Sequence, residues 1–183
     1  MKSRLISYVR ERRANPAERA ELVTSRLSVE TGGGCCFFGN VDFGSEPYLV
    51  QLGDSVGLSD GVRFVTHDGG LFVLNNLGLL PSPDLPQKCD SFGRITVGNN
   101  VFIGMDTIIL KGVTIGDNVV VGARSLVTRD LPSGAVYAGS PARFLKSIDE
   151  YAAGVSKNCV PTAKMPKDEK KVWLLEHFDL NRK

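Results

Sequence analysis

The sequence predicts an all-β protein built on a parallel β-helix, with helices at its N- and C-terminal ends and one long loop that leaves the coils. The first observation is a six-residue period from Val97 to Pro132, in which the first position of every hexad is aliphatic. These positions are Val97, Ile103, Ile109, Ile115, Val121 and Val127. Because a helix repeats about every 3.6 residues and a strand every two, a strict period of six indicates a triangular coil of about 18 residues.

The same period runs earlier in the chain, in a different phase. Hexads begin at Leu52, Leu58 and Phe64, and 33 residues separate Phe64 from Val97, which is not a multiple of six. The chain must therefore leave the coils in between, where residues 69–94 are rich in Gly, Pro and Asn. A long loop without regular structure inside a compact domain is usually functional. With a less regular coil upstream of Leu52, the sequence predicts four to five coils.

Helical patterns flank the coils. The pattern of a capped helix start is formed by Asn15, Pro16 and Glu18. A second helix is predicted at residues 167–178, where apolar residues have helical spacing. The connecting residues 151–166 are predicted to be irregular. We expect the two helices to cover the open ends of the coils, as terminal units of solenoids do. The predicted domains are an N-terminal helical cap (1–30), a β-helix domain (31–146) with the loop excursion at 69–94, and a C-terminal connector and helix (147–183).

Composition argues against several classes of protein. The net charge is +2 over 183 residues, which gives no reason to expect nucleic acid or a membrane surface as a partner. The N-terminal region has no apolar stretch long enough for a signal peptide or a membrane span. The four cysteines (Cys35, Cys36, Cys89 and Cys159) have the spacing of neither a disulfide framework nor a zinc site. We therefore expect reduced thiols, a cytoplasmic protein and no bound metal.

Two segments resemble a known enzyme family. Residues 98–146 are similar to the C-terminal half of the hexapeptide acyltransferases, which include galactoside, maltose and serine acetyltransferases. Residues 43–70 resemble the members that acetylate surface polysaccharides and sugars. The resemblance implies a left-handed β-helix, a homotrimer with each active site between neighbouring subunits, and acetyl-CoA as co-substrate. It does not imply one particular acceptor.

The resemblance also assigns a catalytic residue. The chain has two histidines, of which His177 falls in the predicted C-terminal helix and His67 ends the segment Val65-Thr66-His67 that matches the family's catalytic base. Acyl transfer from a thioester to a hydroxyl needs a base for the hydroxyl proton, and imidazole titrates near neutrality. On position alone, His67 could equally cap a turn.

Further site residues follow from the same match and from position. Arg and Lys side chains suit the phosphates of coenzyme A. The matched coenzyme A positions are Met105, Ala123, Thr128, Arg129, Arg143 and Lys146. Asn40, Glu46 and Asp68 are predicted to bind the acceptor, because polar side chains near the His67 coil suit a sugar; such residues could equally form turns.

Three functions remain open at the level of sequence. The first is acetyl-CoA-dependent transfer of an acetyl group to a sugar hydroxyl in surface-polysaccharide or lipopolysaccharide biosynthesis, by a cytoplasmic homotrimer. The second is an N-acetyltransferase that acts on an amino-sugar nucleotide. The third is a non-enzymatic β-helix scaffold, which would not bind acetyl-CoA. The expected partners are copies of the chain itself and a sugar or nucleotide-sugar acceptor.

Overall fold

The computed structural model describes residue 11, residues 14–80 and residues 89–180. The rest of the predicted N-terminal cap and of the excursion lies outside these residues. The chain divides into two units, the first ending at Ile148 and the second beginning at Asp149.

The helices are α1 (Pro16–Leu27), α2 (Leu71–Leu77), α3 (Ile148–Val155) and α4 (Lys167–His177), and two short 3₁₀ helices span Pro47–Leu49 and Ser156–Asn158. None of the described helices has the length and apolar character to cross a bilayer.

Among the described residues of the first unit, fourteen strands form three sheets. They are β1 (Glu30–Thr31), β2 (Cys36–Phe37), β3 (Val41–Asp42), β4 (Val50–Leu52), β5 (Gly57–Leu58), β6 (Val62–Val65), β7 (Ile95–Val97), β8 (Phe102–Ile103), β9 (Ile108–Leu110), β10 (Thr114–Ile115), β11 (Val120–Val121), β12 (Leu126–Val127), β13 (Ala135–Ala138) and β14 (Arg143–Ser147). Sheet A has the order β1-β4-β7-β10, sheet B the order β14-β13-β11-β8-β5-β2, and sheet C the order β12-β9-β6-β3.

The strand order describes a three-sided prism of parallel coils. Each coil contributes one strand to each sheet, so that β1 to β12 make four coils. A fifth begins at Leu131, which bridges Ile115 of sheet A, and continues with β13 in sheet B. The pairing is parallel throughout the coils, and β14 then pairs antiparallel with β13. The predicted all-β fold of four to five coils is therefore confirmed. We name the edges of the prism corner A–B, corner B–C and corner C–A, after the sheets that the chain leaves and enters.

The repeating aliphatic positions form the core of the prism. All six first-position residues from Val97 to Val127 are at most 1% exposed, and Leu52, Leu58 and Phe64 are at most 2% exposed. In sheet B, Leu58 pairs with Ile103, which pairs with Val121, so that the aliphatic residues stack from coil to coil. Each such burial contributes about 1.5–3 kcal/mol.

A ladder of polar side chains joins successive coils at corner A–B. Asp54 Oδ1 accepts from Gly33 N at 2.7 Å, and Asn99 Oδ1 accepts from Asp54 N at 2.8 Å. The ladder continues with Asp117 Oδ1, which accepts from Asn99 N at 2.6 Å, and with Ser133 Oγ, which accepts from Asp117 N at 2.9 Å. These bonds satisfy backbone N–H groups that point along the prism axis, where no sheet partner is present to accept them.

Helix α1 begins as the sequence predicts. Asn15 Oδ1 accepts from the backbone N–H groups of Ala17 and Glu18 at 3.1 and 3.0 Å, and Glu18 Oε2 accepts from Asn15 N at 3.1 Å. This is a complete capping box. Ala20 and Val23 are buried in the same apolar core as the coils, and α1 packs against β2.

Two segments differ from their predicted structure. The excursion contains helix α2, and the Asn75 side chain fixes the chain beyond it, donating to Cys89 O and accepting from Cys89 N at 2.9 Å each. The predicted irregular segment 151–166 begins in helix α3, whose acidic residues Asp149 and Glu150 lie in the first turn and favour the helix dipole. The predicted helix at residues 167–178 corresponds to α4.

Candidate functional site

Corner C–A collects polar side chains from successive coils. Strands β3, β6, β9 and β12 all end at this corner. The residues that follow them include Glu46, His67, Lys111 and Arg129. Because neighbouring strands lie about 4.8 Å apart, these residues form one column along the prism edge, which we call the C–A column.

His67 contacts two polar side chains of the preceding coil. Its Nδ1 lies 3.3 Å from Glu46 Oε2 and 3.4 Å from Ser45 Oγ. An ionised carboxylate can only accept a hydrogen bond, so Nδ1 carries the proton in the pair with Glu46. Nε2 is then the basic nitrogen of the ring. The His67 side chain is 44% exposed, whereas that of Glu46 is 17% exposed.

A buried threonine supports this carboxylate. Thr66 is fully buried, and its hydroxyl donates to Glu46 Oε2 at 2.7 Å. The Thr66 hydroxyl contributes most, followed by Ser45 and His67, to holding the pKa of Glu46 below its ordinary value. Glu46 is therefore ionised at neutral pH and available to stabilise a positive charge on His67.

The predicted acceptor residues lie at two different corners. Asp68 lies beside His67, where its Oδ1 accepts from Gly70 N at 2.9 Å in a turn. Asn40 lies at corner B–C, and its backbone N–H donates to Asp60 Oδ1 at 2.6 Å. The structure therefore brings Glu46 and Asp68 to His67, whereas it places Asn40 at another edge of the prism. The contact of these residues with an acceptor stays a prediction.

The six predicted coenzyme A residues are all exposed and also divide between corners. Met105 and Ala123 lie at corner B–C, between strands of sheets B and C, whereas Thr128 and Arg129 follow β12 at corner C–A. Arg143 and Lys146 lie on β14. A single chain therefore holds Met105 and Ala123 apart from His67 by the width of sheet C.

Three further polar residues near His67 were not predicted from the sequence: Ser45, Ser91 and Lys111. Lys111 hydrogen-bonds Ser91 Oγ, and its Nζ lies 3.7 Å from Asp68 Oδ2. A signal for Lys111 was available, because it precedes Arg129 by 18 residues, one full coil, and so occupies the same place at corner C–A. Ser91 could not be placed, because it lies at the end of the aperiodic excursion. Over the described ranges, no three His, Cys, Asp or Glu side chains cluster as metal ligands would.

Comparison with known proteins identifies the family. A family profile described as "Bacterial transferase hexapeptide (six repeats)" matches residues 94–129. Protein CapG of Staphylococcus aureus is 46% identical over 160 residues, which cover 86% of this chain and 88% of CapG. The chain belongs to the hexapeptide-repeat transferase family. This membership confirms the resemblance that its sequence motifs show.

Other relatives define the class of enzyme. Galactoside O-acetyltransferase of Escherichia coli K12 is 54% identical over 106 residues, which cover 57% of this chain and 47% of the relative. A solved maltose O-acetyltransferase from Clostridium difficile 630 matches 70% of this chain and 74% of its own, with 26% identity and a TM-score of 0.51. A galactoside acetyltransferase in complex with coenzyme A matches 83% of this chain and 82% of its own, also with 26% identity and a TM-score of 0.51. The predicted left-handed β-helix and the predicted acetyltransferase with acetyl-CoA as donor are confirmed.

Proposed function

We propose that this chain transfers the acetyl group of acetyl-CoA to a sugar hydroxyl in surface-polysaccharide or lipopolysaccharide biosynthesis, with His67 as the general base. The observation that carries the proposal is the 3.3 Å contact between His67 Nδ1 and Glu46 Oε2, which makes Nε2 the basic nitrogen on an exposed prism edge. The names of the galactoside and maltose O-acetyltransferase relatives support a sugar hydroxyl as the acceptor.

The mechanism follows from this geometry. Nε2 of His67 accepts the proton of the acceptor hydroxyl while the hydroxyl oxygen attacks the thioester carbonyl carbon. The carboxylate of Glu46 stabilises the imidazolium that forms. When the carbon–sulfur bond breaks, the imidazolium returns the proton to the departing thiolate, and the products are an acetyl ester and free coenzyme A. A general base of this kind contributes about 10²–10⁴-fold in rate.

Cations beyond His67 suit the donor. Arg129 lies in the C–A column two coils after His67. At the usual spacing of neighbouring strands, two coils correspond to about 10 Å along the prism axis, a distance that the pantetheine arm of coenzyme A can span. A guanidinium group binds phosphate oxygens in a bidentate manner. We propose that Arg129, together with Arg143 and Lys146 on β14, binds the phosphates of coenzyme A, and that Asp68, beside His67, contacts the acceptor. Asn40, at corner B–C, would reach the acceptor of a neighbouring copy of the chain.

We also propose that the active enzyme is a homotrimer. Met105 and Ala123 lie at corner B–C and His67 at corner C–A, so a neighbouring protomer would be needed to bring the two corners together. The outer face of sheet B is apolar: the rings of Phe38 and Phe102, 54% and 42% exposed, cover Gly57 between them. Association in a closed ring would cover this face.

Sedimentation tests the assembly. A trimer of this 19.8 kDa chain has about three times that mass, and a monomer at micromolar concentration would refute the proposal. A cytoplasmic location is part of the same proposal. It is supported by the four cysteines, which form no disulfide in a structure that describes all four of them.

One assay distinguishes acetyl transfer to a sugar hydroxyl from acetyl transfer to an amino sugar. The purified protein is incubated with acetyl-CoA and, in turn, a galactoside, maltose, and a nucleotide-linked amino sugar, while coenzyme A release and product mass are measured. An acetylated product that mild base hydrolyses is an ester and supports the proposal; a base-stable amide on the amino sugar favours the N-acetyltransferase. The non-enzymatic scaffold is not retained as a candidate, because the relatives are acetyltransferases.

A charge reversal tests the donor site. Arg129→Glu should raise KM for acetyl-CoA about tenfold or more, because it replaces a phosphate-binding cation with an anion, and should change kcat less. Lys164→Glu, at an exposed position of the second unit, is the matched control. Equal KM values for the two variants would contradict a role for Arg129 in donor binding.

A further inference from the structure

The two ends of the excursion meet at corner C–A as a short antiparallel pair. We call this pair, residues 66–68 and 91–93, the loop root. Asp68 N donates to Ser91 O at 2.9 Å, and a second backbone bond of 2.9 Å joins the other side of the pair. His67 lies between these two bonds, in the middle of the root. The proposed catalytic base is therefore held by the chain on both sides of the excursion.

Lys111, on the next coil, contacts both ends of the excursion. Its Nζ donates a hydrogen bond to Ser91 Oγ, and it lies 3.7 Å from Asp68 Oδ2. The Lys111 side chain is 28% exposed, so its ammonium group is partly withdrawn from water. One ammonium group thus joins the residue where the excursion leaves the coils to the residue where it returns.

The backbone around Lys111 leaves the returning segment little room to shift. A Cβ atom on Gly93 would lie 2.8 Å from Gly112 N and 3.2 Å from Lys111 Cβ. Gly112 N also donates to Arg94 O at 3.1 Å. The returning segment therefore packs directly on the turn that carries Lys111, and the position of this turn determines the position of the loop root.

We propose that Lys111 is a positioning residue, which fixes the ring of His67 by holding Asp68 and Ser91 together. Without its ammonium group, the side-chain link between Asp68 and Ser91 is lost. The backbone bonds of the root and the Asn75–Cys89 pair must then hold the ends of a 22-residue loop against its closure entropy. The root reaches the ring through Phe92, whose ring centroid lies 6.4 Å from that of His67 in an edge-on arrangement. A displaced base lowers turnover steeply, because proton transfer requires hydrogen-bond distance.

The inference rests on the proposed function only for its effect on turnover. Stabilisation of the loop root by Lys111 is a structural property, which can be measured without an acceptor. Amide hydrogen exchange at Asp68 and Gly93 reports the two backbone bonds of the root, and the imidazole NMR signals of His67 report the ring. The kinetic constants kcat and KM for acetyl-CoA then report the consequence for catalysis.

The test uses Lys111→Met, because methionine keeps an unbranched side chain and removes the charge. We expect amide exchange at both positions to become about tenfold faster or more, with a change in the His67 ring signals. We expect kcat to fall about tenfold or more while KM for acetyl-CoA stays within about twofold. Lys111→Arg keeps the positive charge and should retain most of the wild-type amide protection and kcat. Lys157→Met, at an exposed position of the second unit, should change neither quantity.

Each alternative outcome is distinct. Unchanged exchange and unchanged ring signals in Lys111→Met would overturn the proposal, and so would a loosened root with unchanged kcat. An increase confined to KM for the acceptor, with the root intact, would make Lys111 a substrate ligand instead. If the wild-type protein acetylates no acceptor, the proposed function fails, and exchange and ring signals alone decide whether Lys111 positions His67. Should Lys111→Met fail to fold, Ser91→Ala removes one acceptor of the ammonium group and should loosen the root in the same direction.

Discussion

The coils from Ile95 to Leu131 and the coil that ends at His67 belong to the same prism but differ in how closely they follow its period. In the later coils every hexad is complete, and each first position is a buried aliphatic residue. At His67 the period breaks, the chain leaves the prism, and the buried residue before the break is a threonine, Thr66. The difference indicates that the period specifies the scaffold, whereas the departure from it coincides with the proposed site.

The two regions are also held together by different interactions. Burial of apolar area stabilises the later coils, and this interaction has little directional preference. At corner C–A, the contacts of Glu46 with Thr66 and of Lys111 with Ser91 are directional. Such polar contacts contribute modestly to stability but determine where atoms lie. Substitutions in the two regions should therefore separate stability from activity.

The largest expected effect is at the proposed base. His67→Ala should lower turnover about 10²–10⁴-fold with acetyl-CoA affinity little changed, because only proton transfer is lost. Turnover of a saturating acceptor and a separate acetyl-CoA titration measure the two quantities. His177→Ala, at the other histidine, is the matched control and should leave both unchanged. If the turnover of His67→Ala lies within a few-fold of wild type, His67 has a structural role only. The proposed difference between the later coils and the His67 region would then be wrong.

The next effect is on the scaffold. Ile109→Ala should lower the free energy of unfolding by about 2–5 kcal/mol, because it opens a cavity at a fully buried position. Thr114→Ala, on the outer face of sheet A, should change it by less than about 0.5 kcal/mol. Denaturant unfolding of the two variants tests the difference. Equal stabilities would mean that the hexad pattern does not identify the core.

A smaller effect on turnover is expected at Glu46. Glu46→Gln should lower kcat roughly 10- to 100-fold, less than loss of the base itself, because glutamine can still accept from Nδ1 but cannot neutralise the imidazolium. Stability should change little, and Glu169→Gln on α4 serves as the control. A rise in KM for the acceptor with unchanged kcat would instead favour the sequence-based prediction that Glu46 binds the acceptor.

The smallest effect is the contribution of Glu46 to stability as pH changes. Its hydrogen bonds hold its folded-state pKa below the ordinary value of 4.5, so the unfolded state takes up a proton first as pH falls. This contribution is present above the unfolded pKa and is lost as pH falls through the folded pKa. Urea unfolding of wild type and Glu46→Gln should therefore differ most above about pH 5 and converge at lower pH. A difference that is constant with pH would contradict the lowered pKa.

The regular part of the fold could be predicted because each residue's environment repeats. The buried positions from Val97 to Val127 follow from counting in sixes, and α1 follows from the local pattern at Asn15. The family motif predicts His67 as the catalytic base, and this role stays a prediction. Helix α3 was missed because the run Ile148–Val155 is only eight residues long and contains Gly154, although its apolar residues have helical spacing.

The contacts within the site could not be predicted, because they depend on register across irregular coils. Glu46 meets His67 at a separation of 21 residues rather than 18, since the 3₁₀ helix Pro47–Leu49 extends that coil. Lys111 meets Asp68 at a separation of 43 residues, because the excursion lies between them. Neither separation is a multiple of six, so no count along the sequence brings these residues together.

Strand β14 has a consequence for how long such a prism can grow. The end of a parallel coil offers unpaired backbone groups on which the first coil of another molecule could stack, and repetition of that contact would produce a fibre. In sheet B the last parallel strand, β13, is already paired with β14, which runs in the opposite direction and carries Arg143 and Lys146. At the other end of the same sheet, α1 packs on β2. In sheet B, a further parallel coil would therefore meet an antiparallel strand that carries two cations at one end and a helix at the other, and both features disfavour end-to-end stacking.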